Sequence, residues 1–242
     1  TREELAELWH NTGEEYFLRE RPEDIAWHTE AIAAHGNRDE PLVLIKSNTD
    51  RQYGGATQIF IYTKPSDYLF AHITSALEQL DLSIHDARIY TSHNNMTIDT
   101  FYVLDADGNP LDGDRERISH IRDTLRDDLL DVSAAPTPLR RRTPRQLKHF
   151  SVPTRTYLST DTERGVTILE VHTPDRPGLL ARISRVFLDF EVDISAARIA
   201  TLGERVEDIF YITDRNKQPV DADTCAALCE TICRELDAQA AA

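Results

Sequence analysis

Residues 57–63 read Thr-Gln-Ile-Phe-Ile-Tyr-Thr and residues 166–173 read Val-Thr-Ile-Leu-Glu-Val-His-Thr, two short runs with the length and alternation of β-strands. A helix pattern follows each. Leu69, Phe70, Ile73, Ala76, Leu77 and Leu80 share one helix face, and Leu179, Leu180, Ile183, Val186, Phe187 and Phe190 repeat that face 110 positions later (69 to 179). The same offset carries Ile84, Ala87, Arg88, Ile89 and Thr91 onto Ile194, Ala197, Arg198, Ile199 and Thr201. It falls to 109 (99 to 208), where Asp99, Phe101, Val103 and Asp105 meet Asp208, Phe210, Ile212 and Asp214. In the last helix it is 107 (118 to 225), with Ile118, Ile121, Leu125 and Leu129 on Cys225, Leu228, Ile232 and Leu236. Residues are lost only in turns, where length changes are tolerated. The chain is a duplication.

Each copy predicts strand, helix, strand, strand, helix, with the last helices over 114–131 and 221–237. Asp107-Gly108 and Asn216-Lys217 supply turns after the last strands. An extra extended run precedes each copy, at 41–47 and 150–159, and fills the edge beside the first strand. The order becomes β-β-α-β-β-α, an α+β fold with an antiparallel sheet and both helices on one face. Domain one spans 41–131 and domain two 150–242. Residues 1–35 predict a tail of two helices: Leu5, Leu8 and Trp9 make one apolar face, and Pro22 followed by acids opens the second. Residues 132–149, with three prolines, read as a linker. Trp9, Tyr16, Phe17 and Trp27 read as packing between tail and core.

Charge narrows the function. Asp and Glu number 42 against 27 Lys and Arg, a net charge of −15, which disfavours nucleic acid as a partner. The one basic run, Arg140, Arg141, Arg142, Arg145 and Lys148, carries no interleaved aromatics; it is a solvated linker or a contact for an acidic surface elsewhere in a larger protein. No apolar run of about 18 residues exists, so no membrane helix is expected. The three cysteines, Cys225, Cys229 and Cys233, form no secreted disulfide framework, and a reducing cytoplasm is the expected location. Helix spacing makes Cys225 a core residue and leaves Cys229 and Cys233 more exposed and oxidisable. Thr1 is not an initiator methionine, so a processed chain or a piece of a longer one is expected.

Candidate chemistry concentrates at 173–187, TPDRPGLLARISRVF, where strand passes to helix. Pro177 fixes φ, Gly178 permits close approach, and the first-turn amides of the helix beyond carry partial positive charge. The corner is either a plain capping turn or a pocket in which those amides hold an α-carboxylate while Asp175, or nearby carbonyls, accept from an α-ammonium. Copy one has Asp67 and Tyr68 in place of Pro177 and Gly178, so its corner has lost the glycine, and Asp67 caps the helix or holds an ammonium.

A strand, Asp-x-Pro-Gly-Leu-Leu at a helix start, then two strands and a helix resembles the ACT domain, a ferredoxin-like module that commonly binds amino acids. DRPGLLARI, ARIATLGERVEDIFYITD, AWHTEAI and RQLKHFSVPT are similar to the C-terminal tandem ACT region of the bifunctional PII uridylyltransferase/uridylyl-removing enzyme family of bacterial nitrogen control. The resemblance implies a glutamine-sensing region in which glutamine favours removal of uridylyl groups from the PII protein. It implies Asp175, Arg176, Pro177, Gly178, Leu179 and Leu180 as ligand-binding residues, with Asp67, Tyr68 and Leu69 in the first copy. By the same analogy a ligand between two copies would meet the second strand of the partner copy, at His85, Asp86 and Ala87 or at Ser195, Ala196 and Ala197. Upstream catalytic domains and PII are the implied partners, with pairing of ACT domains into a homodimer also open.

The catalytic parts of that family are not in this sequence. A nucleotidyltransferase site needs a Gly-Ser turn, and none of the nine glycines precedes a serine. The uridylyl-removing reaction belongs to a metal-dependent HD domain, but the dipeptide His85-Asp86 lies in a predicted strand, whose neighbours point to opposite faces. Regulation without chemistry is the expectation, with no catalytic residue, metal or cofactor here and a divalent metal in the parent enzyme. A free-standing, amino-acid-binding ACT pair is the alternative.

Overall fold

The computed structural model describes residues 2–36, 39–47, 55–66, 68–111, 113–132, 152–176, 178–202 and 205–238. The linker with its Arg140–Lys148 basic run, and both Asp67 and Pro177, lie outside the described residues.

Copy one comprises β1 (Leu42–Ser47), β2 (Thr57–Thr63), α4 (Leu69–Gln79), β3 (Ser83–Thr91), β4 (Thr97–Leu104) and α5 (Arg115–Leu130). Copy two repeats it as β5 (Arg155–Asp161), β6 (Val166–Pro174), α6 (Leu179–Asp189), β7 (Asp193–Leu202), β8 (Arg205–Thr213) and α7 (Ala222–Asp237). The last helices begin within a residue of the expected positions and are capped there: Asp114 accepts from the Arg117 amide, and Asp221 from those of Asp223 and Thr224.

The copies are not separate sheets. All eight strands form one antiparallel sheet ordered β1-β2-β4-β3-β7-β8-β6-β5, joined at the centre where Asp86, Ala87 and Arg88 pair with Ala200, Ile199 and Arg198. Helices α4–α7 cover one face, and the apolar positions of both copies merge there into a single core from Val43 to Leu236. Cys225 is buried in it as expected. Cys229 and Cys233 are more exposed than Cys225, at half-burial, and burial pushes the Cys229 thiol up, away from the reactive thiolate.

The tail departs from the sequence reading in its number of helices. It forms three helices, α1 (Arg2–Thr12), α2 (Glu14–Arg19) and α3 (Pro22–Ala34), because Gly13 at φ +87° breaks the first run. It also covers the opposite face of copy one, where Tyr16 and Ile32 pack on Phe60, Tyr62, Tyr90 and Ile98. Strand β2 is therefore buried on both faces, whereas β6 alternates. Phe17 and Trp27 pack against this second core, and Trp9, although 48% exposed, donates from Nε1 to Thr29 Oγ1 at 3.0 Å. No helix among the described residues is long and apolar enough to cross a membrane.

Candidate functional site

Pairing β3 with β7 brings the corner of copy two against the end of α4 and the start of β3 in copy one. A cavity of about 460 Å³ lies between them. From copy two, Asp175, Arg176, Gly178, Leu179, Leu180 and Asp208 form its wall; copy one contributes Glu78, Asp81, His85 and Asp105.

The corner has the backbone that its glycine permits. Gly178 is the N-cap of α6 at φ +74° and offers no side-chain cap of its own. Arg176 is buried and donates from Nη1 to the Leu236 carbonyl at 2.8 Å, so its guanidinium ties the corner to the C-terminal end of α7. Copy one makes the corresponding tie with Ser66, whose hydroxyl donates to the Val132 carbonyl at 3.0 Å.

Asp208 is the fully buried acid of this wall; its duplicate in copy one, Asp99, is likewise buried with an unpartnered carboxylate oxygen, but does not line the cavity. Asp208 Oδ1 accepts from the Ala200 amide at 3.3 Å, and Oδ2 has no partner among the described residues. Burial holds its carboxyl well above the usual carboxylate range, with the nearby Asp175 acting in the same direction. Burial also raises Asp175, against the pull of His85; burial lowers His85, against the pull of Asp175. Asp175 and His85 thus face each other electrostatically across the boundary between copies.

The remaining sequence candidates fall elsewhere. Asp86 and Ala87 follow His85 on β3 but lie off the cavity wall: Ala87 is in the helix-side core and Asp86 is on the tail side near Arg88 and Arg198. Ser195 donates from Oγ to the Tyr211 carbonyl at 2.9 Å; Ala196 and Ala197 are buried, and none of the three lines this cavity. Tyr68 is the half-buried N-cap of α4 and Leu69 is buried, both at the first copy's own corner. Asp208 and Glu78 were not anticipated. An aspartate at an inward position between Val206 and Phe210 was a readable signal for Asp208, whereas Glu78 is brought to the corner only by the docking of the copies. Among the described residues no group of three or more His, Cys, Asp or Glu could hold a metal.

The tandem β-β-α-β-β-α body, with a cavity at a strand-to-helix corner, has the ferredoxin-like architecture of paired ACT domains. Residues 167–228 match the ACT domain family model, and residues 1–31 match the model described as uridylyltransferase GlnD fifth domain. The chain is similar to the bifunctional uridylyltransferase/uridylyl-removing enzymes of Ectopseudomonas mendocina (strain ymp), 50% identical over 97% of this chain and 26% of that protein, and of Azotobacter vinelandii (strain DJ / ATCC BAA-1303), 50% identical over 95% and 26%. It spans about a quarter of the length of these relatives. A crystal structure of aspartate kinase from Synechocystis overlaps 75% of this chain and 28% of its own at a TM-score of 0.41 and 12% identity, too distant a likeness to argue from.

Proposed function

We propose that this chain is the glutamine-sensing regulatory region of a bifunctional PII uridylyltransferase/uridylyl-removing enzyme, working in the cytoplasm beside catalytic domains that carry the divalent metal. The observation that carries this reading is the unpartnered Oδ2 of fully buried Asp208 in a cavity beside the glycine-capped start of α6. An α-carboxylate suits the helix start, and an α-ammonium suits Asp208 and Asp175. Asp81, Asp105 and Glu78 add acids to the wall, which favours a neutral side chain such as a carboxamide over a second carboxylate. Similarity to the bifunctional enzymes at both tail and ACT domains favours an attached region over a free-standing pair.

Ligand binding acts on the parent enzyme only through different affinities for its two arrangements, with a coupling of about 1–3 kcal/mol. Because β3 and β7 pair within the chain, a homodimer formed by extending the sheet would use the outer edges β1 and β5. Calorimetric titration with glutamine, glutamate and asparagine tests the reading: glutamine is expected to give heat and a thermal shift. Silence with all three rejects it.

A further inference from the structure

Copy one places an acid in the corner of copy two. The Glu78 carboxylate, at the end of α4, lies against Gly178: Oε1 and Oε2 are 2.9 and 3.1 Å from the point that a Cβ on Gly178 would occupy. Gly178 is the N-cap of α6, an 11-residue helix with no side-chain cap of its own. The partial positive charge of that helix start therefore meets a carboxylate supplied by the other copy. In the same cavity, the unpartnered oxygen of buried Asp208 marks a position for a donor that none of the described residues fills.

We propose that Glu78 is a built-in stand-in for the ligand's carboxylate, holding the anion position at α6 in the empty protein and leaving it when an amino acid arrives. This rests on the reading of the cavity as an amino-acid site. Glu78 belongs to α4 and Gly178 to α6, the two helices that touch across the boundary between copies. Exchange of an internal carboxylate for a free one thus alters the contact between copies, so occupancy is converted into a change of geometry. Glu78 also limits affinity, because each binding event must first displace it.

The test uses the full 242-residue chain and its Glu78→Ala and Glu78→Gln variants, titrated calorimetrically with glutamine and melted with and without it. Both variants are expected to bind about two- to fivefold more tightly than the parent chain, the span of a helix-terminus charge interaction. Their ligand-free melting temperatures should fall while the saturated ones converge on the parent value. The uncharged, near-isosteric Gln variant keeps the test open if the Ala variant does not fold. Binding by the parent chain with equal or weaker binding by the variants leaves the cavity reading standing and overturns displacement. No binding by any of the three proteins overturns the cavity reading, and displacement with it.

Discussion

A carboxyl group with no exposure and one unpartnered oxygen destabilises a fold unless something else requires it. Asp208 is such a group, and its pKa is raised on folding, so its contribution to stability is most favourable below about pH 4 and declines as pH rises toward the folded value. Replacing it with Asn should remove that decline. We expect Asp208→Asn to raise the ligand-free melting temperature at pH 7 by a few degrees, on the order of 1 kcal/mol, in differential scanning calorimetry. The same variant should lose amino-acid affinity about tenfold or more, and unchanged affinity would remove Asp208 from the site. Gly178→Ala should cost about 1–2 kcal/mol in denaturant unfolding, because φ +74° is left-handed and the new methyl must displace the Glu78 carboxylate. The local chemistry of the corner was legible from Asp175 and Gly178. The contribution of Glu78 was not, since nothing in a linear pattern says which residue of one copy faces the corner of the other.

The tail shows how an element is fastened by buried polar groups as well as by apolar area. Tyr16 Oη and His28 Nδ1 share a hydrogen bond of 2.7 Å, and the His28 ring stacks on Phe60 with centroids 3.9 Å apart. Burial pushes the His28 pKa down to about 3, so the imidazole is held neutral. Its free value is about 6.5, so the unfolded chain takes up a proton first and stability falls as pH drops from about 6.5 toward 3. His28→Gln should flatten that acid limb in pH-dependent thermal melts; an unchanged limb would assign it to other groups. Glu20 is buried beneath Arg88, with Nη1 3.0 Å from Oε2. Arg88→Met should cost about 3–5 kcal/mol by leaving the carboxylate uncompensated, and a second change, Glu20→Gln, should recover much of that in a double-mutant cycle. The sequence contained the contrast that explains the tail's position: Phe60 and Tyr62 in copy one stand where copy two has Glu170 and His172. Copy one has an apolar outer face, and the tail covers it.

At the scale of the molecule, duplication and strand pairing together produce a near-twofold axis. In the β3–β7 register Arg88 lies opposite Arg198, and these two are equivalent residues of the two copies. A symmetric antiparallel junction therefore sets a residue opposite its own duplicate, here one arginine against another, which is unfavourable unless offset. Asp86 supplies the offset from the sheet, drawn down by both guanidiniums although burial dominates and lifts its pKa to about 6. Its counterpart in copy two is Ala196, so this compensation is one-sided. Asp86→Ala should loosen the centre of the sheet, with faster amide exchange confined to β3 and β7. Uniform protection would place the strength of the junction in the shared helix-side core instead.

The sequence by itself determined the duplication, the order of strands and helices and the apolar face of each element, because these follow from spacing along one chain and from the local chemistry of Pro, Gly and Asp. Only the tertiary structure decided that the copies share one sheet, that the tail covers a single copy, and that Glu78 meets Gly178. Those are contacts between surfaces distant in sequence, and periodicity shows that a face is apolar without showing what lies against it.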